Sequence, residues 1–206
     1  LTLTVEHQGF VSGDYVSETP VISATFSDTN GIDLRAEHII LMKDQQRIPP
    51  SEYAISVSPT NTNLVLLSYT PTLNTGEHQI TLQAQDANGN VVQDEMEFQV
   101  AGEFVIEKVA NYPNPFGPGT KNRQGTDFAY ILTSNADKVT LKVYTITGRL
   151  VVLIDTLDGF AGYNEFHWEG FDRDDEELSN GVYLYKIIAE KEGDTADKTG
   201  KLAILR

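Results

Sequence analysis

Apolar and polar residues alternate along most of the chain. Ile22, Ala24 and Phe26 share one face, and Ser23, Thr25 and Ser27 share the other. Ile80, Leu82 and Ala84 alternate with Gln79, Thr81 and Gln83, and Met96, Phe98 and Val100 alternate with Glu95, Glu97 and Gln99. A period of two marks half-buried antiparallel strands. Turn-forming clusters separate these runs: Asp28-Thr29-Asn30-Gly31, Pro49-Pro50, Asn74-Thr75-Gly76 and Asp86-Ala87-Asn88-Gly89-Asn90. Asn-Gly pairs favour tight hairpins, because both central residues need positive φ. Strands are predicted near residues 2–7, 20–27, 38–43, 52–58, 63–69, 77–85 and 92–100, about seven, as a small sandwich requires. No segment has a convincing helical period; Ile32–Glu37 has room for one short turn.

The second half repeats the pattern in Asp127–Leu132, Lys138–Tyr144, Leu150–Asp155, Asn164–Trp168, Gly181–Ala189 and Gly200–Leu205. Thr147-Gly148 closes a tight hairpin, and Asn180-Gly181 opens a strand apolar on both faces and therefore central in its sheet. Trp168 is expected to anchor the core, with its indole N–H on a carbonyl at the sheet edge. The stretch Glu192–Gly200 reads as a mobile hairpin tip. The expected fold is all-β, two tandem immunoglobulin-like sandwiches, with residues 1–101 as one domain and 102–206 as the other.

Between the halves stands Asn111-Tyr112-Pro113-Asn114-Pro115-Phe116. Neither proline has an N–H to give a ladder, and each pushes the preceding residue toward extended backbone. Asn114 is expected to fold its side chain onto nearby backbone, and Tyr112 and Phe116 to clamp the turn onto the sandwich.

Composition narrows the possible chemistry. The 206 residues carry a net charge of −15, which argues against nucleic acid or an anionic membrane surface as a partner. No cysteine is present, which excludes disulfides, thiolate metal sites and a Cys nucleophile. No apolar run reaches the roughly 18–20 residues that span a bilayer. A chain that begins at Leu1 without a signal peptide reads as a piece of a longer one. His7, His38, His78 and His167 lack metal-ligand spacing, and no Gly-x-Ser-x-Gly elbow or phosphate-binding glycine loop occurs. The run Asp172–Glu177 lacks the glycine that a calcium loop needs at its sixth position. Asp28, Asp33 and Asp86 offer oxygen ligands for calcium if one end of the sandwich gathers them; turn capping by Asp28 and Asp86 is the plainer reading. No catalytic site and no required cofactor are expected. Tyr144, Tyr163, Tyr183 and Tyr185 would offer stacking surfaces for a polysaccharide if exposed and coplanar.

Five ordered motifs together resemble one family: Tyr112-Pro113-Asn114-Pro115-Phe116, Val143–Val151 with Gly148 and Arg149, Trp168-Glu169-Gly170, Ser179–Lys186 with Gly181, Val182, Tyr183 and Tyr185, and Lys201-Leu202-Ala203-Ile204-Leu205. They look like the immunoglobulin-like C-terminal sorting domain of type IX secretion, which is similar to the immunoglobulin-like domain of flagellar hook-capping proteins. The resemblance runs from about residue 104 onward. Residues 76–90 resemble, more generically, the final hairpin of bacterial immunoglobulin-like surface domains, usually spacers. The sorting family implies export through the periplasm and outer membrane to the cell surface or medium, with the type IX translocon and a surface sortase as partners. It also implies cleavage upstream of the domain, here near Val100-Ala101-Gly102-Glu103, in members that are cut. Similar tails on gingipain-like cysteine peptidases and on the sortase itself leave open that the parent chain is such an enzyme. Two features depart from the family: Glu169 and the acidic run stand where Asp and a glycine turn are usual, and the Gly117–Gly125 insertion is long. A monomeric, non-catalytic tail is expected. A carbohydrate- or protein-binding module and a structural assembly piece are the alternatives.

Overall fold

The period-two runs become antiparallel strands. A computed structural model describes residues 1–5, 10–27, 38–61, 63–86, 88–117 and 125–205. Its strands are β1 (Thr2–Val5), β2 (Ile22–Ser27), β3 (Ile39–Lys43), β4 (Gln46–Arg47), β5 (Tyr53–Val57), β6 (Leu64–Tyr69), β7 (Gly76–Gln85), β8 (Val91–Val100), β9 (Ile106–Tyr112), β10 (Thr126–Leu132), β11 (Lys138–Thr145), β12 (Leu150–Leu157), β13 (Gly162–Trp168), β14 (Gly181–Lys191) and β15 (Asp194–Ile204). The chain is all-β and forms two compact units, Leu1–Gly102 and Glu103–Arg206.

In Leu1–Gly102, the sheets β1-β2-β6-β5 and β4-β3-β7-β8 enclose one core. Ile22, Ala24 and Phe26 from one sheet meet Ile39, Leu41, Ile80 and Leu82 from the other, all buried. This unit has an eighth strand, β4, that the pattern did not predict. Asp44 and Gln45, at φ 51° and 65°, make the turn that pairs Lys43 with Gln46. Such turns usually carry Asn or Gly, so Asp44-Gln45 gave little signal. The predicted turn at Asp28-Thr29-Asn30-Gly31, the helical turn at Ile32–Glu37, His7 and Asp33 lie outside the described residues.

In Glu103–Arg206, a three-stranded sheet, β13-β10-β9, faces a four-stranded one, β12-β11-β14-β15. β14 is internal, as its two apolar faces require. One expectation is overturned here. Glu192–Gly200 is not a loose tip, because β14 and β15 pair without interruption from Gly181↔Ile204 to Lys191↔Asp194. Glu192 and Gly193, at φ 51° and 96°, make a two-residue turn whose twist suits a hairpin. The polar run Asp194–Gly200 hid an edge strand, which can stay polar on its exposed face.

Candidate functional site

The proline stretch carries the chain from one sheet to the other. β9 pairs with β10 as far as Tyr112, opposite Asp127. The Tyr112-Pro113 and Asn114-Pro115 peptide bonds are both cis. Phe116 then joins the free edge of β15 in parallel: its N–H donates to Ala203 O at 3.1 Å, and its carbonyl accepts from Leu205 N at 2.8 Å. Between the prolines, the Asn114 carboxamide extends that ladder, donating from Nδ2 to Lys201 O at 2.8 Å and accepting from Ala203 N at 2.9 Å. An amide side chain can imitate a peptide group in this way, having both a donor and an acceptor. Asn114 therefore bonds backbone distant in sequence rather than the neighbouring backbone expected. Asn111 and Thr126 brace the bend, with Thr126 Oγ1 donating to Pro113 O at 2.9 Å and accepting from Asn111 Nδ2 at 3.1 Å.

Beneath this strap three motif aromatics and Phe128 form a chain of rings. Phe116, only 2% exposed, packs edge-on against Trp168 at 5.8 Å between centroids. Trp168 lies 5.9 Å from Phe128, and Phe128 meets Tyr185 edge-on at 4.8 Å. The Trp168 indole donates to Phe171 O at 3.0 Å, as anticipated. Gly170, at φ +93°, leaves room for Phe116, since a Cβ there would lie 2.9 Å from Phe116 Cε2. Burial pushes the Tyr185 phenol up to about 12.

The last motif is held from both sides. Gly181, Val182 and Tyr183 pair with Ile204, Ala203 and Leu202 on one edge, and Asn114 and Phe116 bond the other. Leu202 and Ile204 point into the core, while the Lys201 side chain is exposed. Thus Asn114, Phe116, Trp168, Gly170, Gly181, Val182, Tyr183, Tyr185, Lys201, Leu202 and Ile204 belong to one neighbourhood. Gly148 and Arg149 lie apart, in the turn between β11 and β12, where Gly148 N donates to Thr145 O at 3.0 Å.

Tyr112 corrects the clamp reading. It is 48% exposed on the outer side of the three-stranded sheet, while Phe116 alone is buried. Its hydroxyl oxygen lies 3.1 Å from that of Tyr163, and both phenols bond Glu165 Oε2. The bond to Glu165 raises the Tyr112 phenol; burial, followed by the same carboxylate, raises that of Tyr163. On the same sheet the His167 ring meets Asp127 at 2.5 Å. This cluster depends on cross-strand register and had no local signal. Of the four tyrosines considered for stacking, Tyr183 and Tyr185 are buried, which removes a shared platform.

Other polar groups singled out in the sequence are hydrogen-bonded within turns and between strands. Asp172 Oδ1 accepts from Asp174 N at 2.9 Å and Glu176 N at 3.0 Å, closing the acidic turn on itself. Asp86 accepts from Asn88 N at 2.8 Å and Asn90 N at 2.7 Å, the capping role; Asp28 lies outside the described residues. His78 lies 2.8 Å from both Asp44 Oδ2 and Asn74 O. No group of three or more His, Asp or Glu among the described residues is placed to hold a metal. At the expected cleavage region, Val100 is paired with Gly76 in β8, and the Glu103 carbonyl accepts from Thr133 Oγ1 at 2.7 Å.

Residues 118–193 match the family described as the FlgD Ig-like domain. No curated protein matches the chain. Among solved structures, dimeric latent PorU from Porphyromonas gingivalis matches over 100% of this chain and 20% of its own, at 23% identity and a TM-score of 0.44. PorZ, a surface component of the type IX secretion system of the same organism, matches over 61% of this chain and 15% of its own, at 23% identity and a TM-score of 0.34. The fibronectin(III)-like modules of Clostridium thermocellum CbhA match over 99% and 93%, at 13% identity and a TM-score of 0.38. The chain thus spans about a fifth of the PorU length.

Proposed function

We propose that residues 102–206 are a type IX C-terminal sorting domain and that residues 1–101 are a spacer between it and a cargo. The observation that carries this reading is the double grip on Lys201–Leu205. The first and last family motifs, 87 residues apart at Asn114 and Lys201, are hydrogen-bonded to each other. The Ser179–Lys186 motif lines the other edge of the same strand. Four of the five motifs, scattered in sequence, meet at one local feature, the β15 strand locked into the fold, while Gly148 and Arg149 stand outside it. The family match over 118–193 lies inside this domain.

On this reading the address is the folded end of the domain. The partners are the translocon and, in cut members, a surface sortase. Cleavage at Val100–Glu103 then requires local opening, because only Ala101 and Gly102 lie between the last β8 pair and the Glu103 carbonyl bond. The chain is a non-catalytic tail, and any enzymatic activity belongs to the parent.

The test fuses residues 103–206 to a periplasmic reporter in a type IX host. Export of the reporter, abolished by deleting Lys201–Leu205, is expected. Retention of the intact fusion in the periplasm overturns the proposal.

A further inference from the structure

On the outer face of β12-β11-β14-β15, one end gathers lysines in a chain of net −15, while toward the other end Lys138 is paired with Asp155 and stands across from Glu190. Inward positions of β11 and β14, such as Val139, Leu141, Val143, Tyr183, Tyr185 and Ile187, are buried. Lys142, Tyr144, Leu184 and Lys186 therefore point outward. Register places Lys142 directly across from Lys186, and Leu184 across from Lys201 on β15. The three lysines thus surround Leu184.

This placement is unfavourable in itself. Directly opposed residues stand about 4.5–5.5 Å apart at Cβ, and like charges in that position destabilise a sheet. Lys186 is relieved by Asp197 at 3.0 Å. Lys142 and Lys201 have no ion pair among the described residues. Residues 103–206 hold 17 Asp and Glu, so acidic partners were not scarce. Asp155 and Asp197 serve Lys138 and Lys186 on this face, and Glu190 stands opposite Lys138, but none of them pairs with Lys142 or Lys201; five more crowd into Asp172–Glu177, in a different loop. Around the lysines lie exposed apolar groups: Val182 at 52%, Leu153 at 49% and Leu150 at 38%.

We propose that this face docks an acidic polypeptide segment of a partner protein, with apolar residues between its carboxylates. Charge complementarity selects the acidic groups, and the exposed Leu and Val side chains select a polypeptide over a bare sulfated or phosphorylated polyanion. Four strands about 4.8 Å apart and three outward rows about 7 Å apart give a patch of a few hundred Å². That falls short of the roughly 800 Å² per partner of a standard interface, so it suits a segment rather than a folded domain. A second copy would also bring another net −15. The proposal concerns the charge of the sheet and holds whether or not the chain is exported.

The test titrates the ¹⁵N-labelled 206-residue chain with a seven-residue peptide alternating glutamate and leucine. Amide shifts confined to Lys142, Tyr144, Leu184, Lys186 and Lys201 are expected. The K142S/K186S/K201S variant, with an unchanged spectrum elsewhere, should bind about tenfold more weakly or worse, and K108S should match the parent. Raising salt from about 0.05 to 0.3 M should weaken binding several-fold. A glutamate–serine peptide should bind several-fold more weakly than the glutamate–leucine one. The proposal is overturned by shifts elsewhere or none, by equal affinity in the triple variant, or by tighter binding of heparin or phosphatidylglycerol vesicles than of the peptide. Concentration-dependent dimers lost in the triple variant would overturn it in favour of a second copy.

Discussion

Leu1–Gly102 and Glu103–Arg206 follow one plan, two antiparallel sheets over a single core, yet they add different things to it. The first has 3 Lys and Arg against 13 Asp and Glu, and the second has 12 against 17. The first unit's core is largely aliphatic, built from alternating strand positions. The second adds a chain of rings, a strap across two sheets, a glycine shaped to a phenyl ring, and opposed lysines. Alternation and turns suffice to make a sandwich. Features beyond that need, especially those that cost stability, are where use should be sought.

The largest effect expected from this contrast lies under the strap. Phe116→Ala removes a buried ring from the aromatic chain and should cost about 3–5 kcal/mol. Trp168 is the only tryptophan, so its fluorescence reports on the second unit alone. In urea, the fluorescence midpoint should fall sharply while a far-UV transition from the first unit persists. An unmoved fluorescence midpoint would mean that the rings do not organise this core.

Glycines sharpen the same point. Gly170→Ala forces a Cβ against Phe116 in a left-handed backbone and should cost about 2–4 kcal/mol. Gly148→Ala, also at positive φ but with nothing within 4 Å, should cost only about 1 kcal/mol. Equal losses would show that backbone strain alone explains both motif glycines. Asn114→Ala breaks both side-chain bonds to β15 and should cost about 1–2 kcal/mol. Hydrogen exchange at the Ala203 amide should quicken in that variant, with the Tyr185 amide unchanged.

How much of this was legible follows from the range of each cause. Period two in Ile22–Ser27 and Ile80–Ala84 is local, so the strands and the all-β fold could be read directly. Trp168 at a strand end was read correctly for the same reason. The strap was half legible: the prolines declare a bend, but nothing near Asn114 says that its partners are Lys201 and Ala203. The Tyr112–Tyr163–Glu165 cluster and the Lys142–Lys186 opposition exist only once register is known. β4 was missed because Asp44 and Gln45 adopt positive φ without the usual Asn or Gly. β15 was mistaken for a tip because an edge strand needs little apolar alternation.

The first unit offers the smallest and most specific test, at that same Asp44. Its carboxylate accepts from Gln79 N at 2.9 Å and meets the His78 ring at 2.8 Å. Burial alone would raise this carboxyl, but the Gln79 and His78 contacts together outweigh burial and hold it below its usual 3.8. A folded-state value below the unfolded one adds stability above the unfolded value, and that stability is lost as pH falls through the folded value. Asp44→Asn keeps a residue that tolerates φ 51°, so the turn should survive and only the charge should go. With the carboxylate partly exposed, the cost near pH 6 should be about 1 kcal/mol or less. It should fade toward zero as pH falls through the folded-state value, where the parent carboxyl is itself protonated. Far-UV urea midpoints of both proteins over a descending pH series from about pH 6, with Trp168 fluorescence as the internal control, decide the matter. A difference that stays constant with pH would assign the contribution of Asp44 to hydrogen-bond geometry and remove its charge from the account.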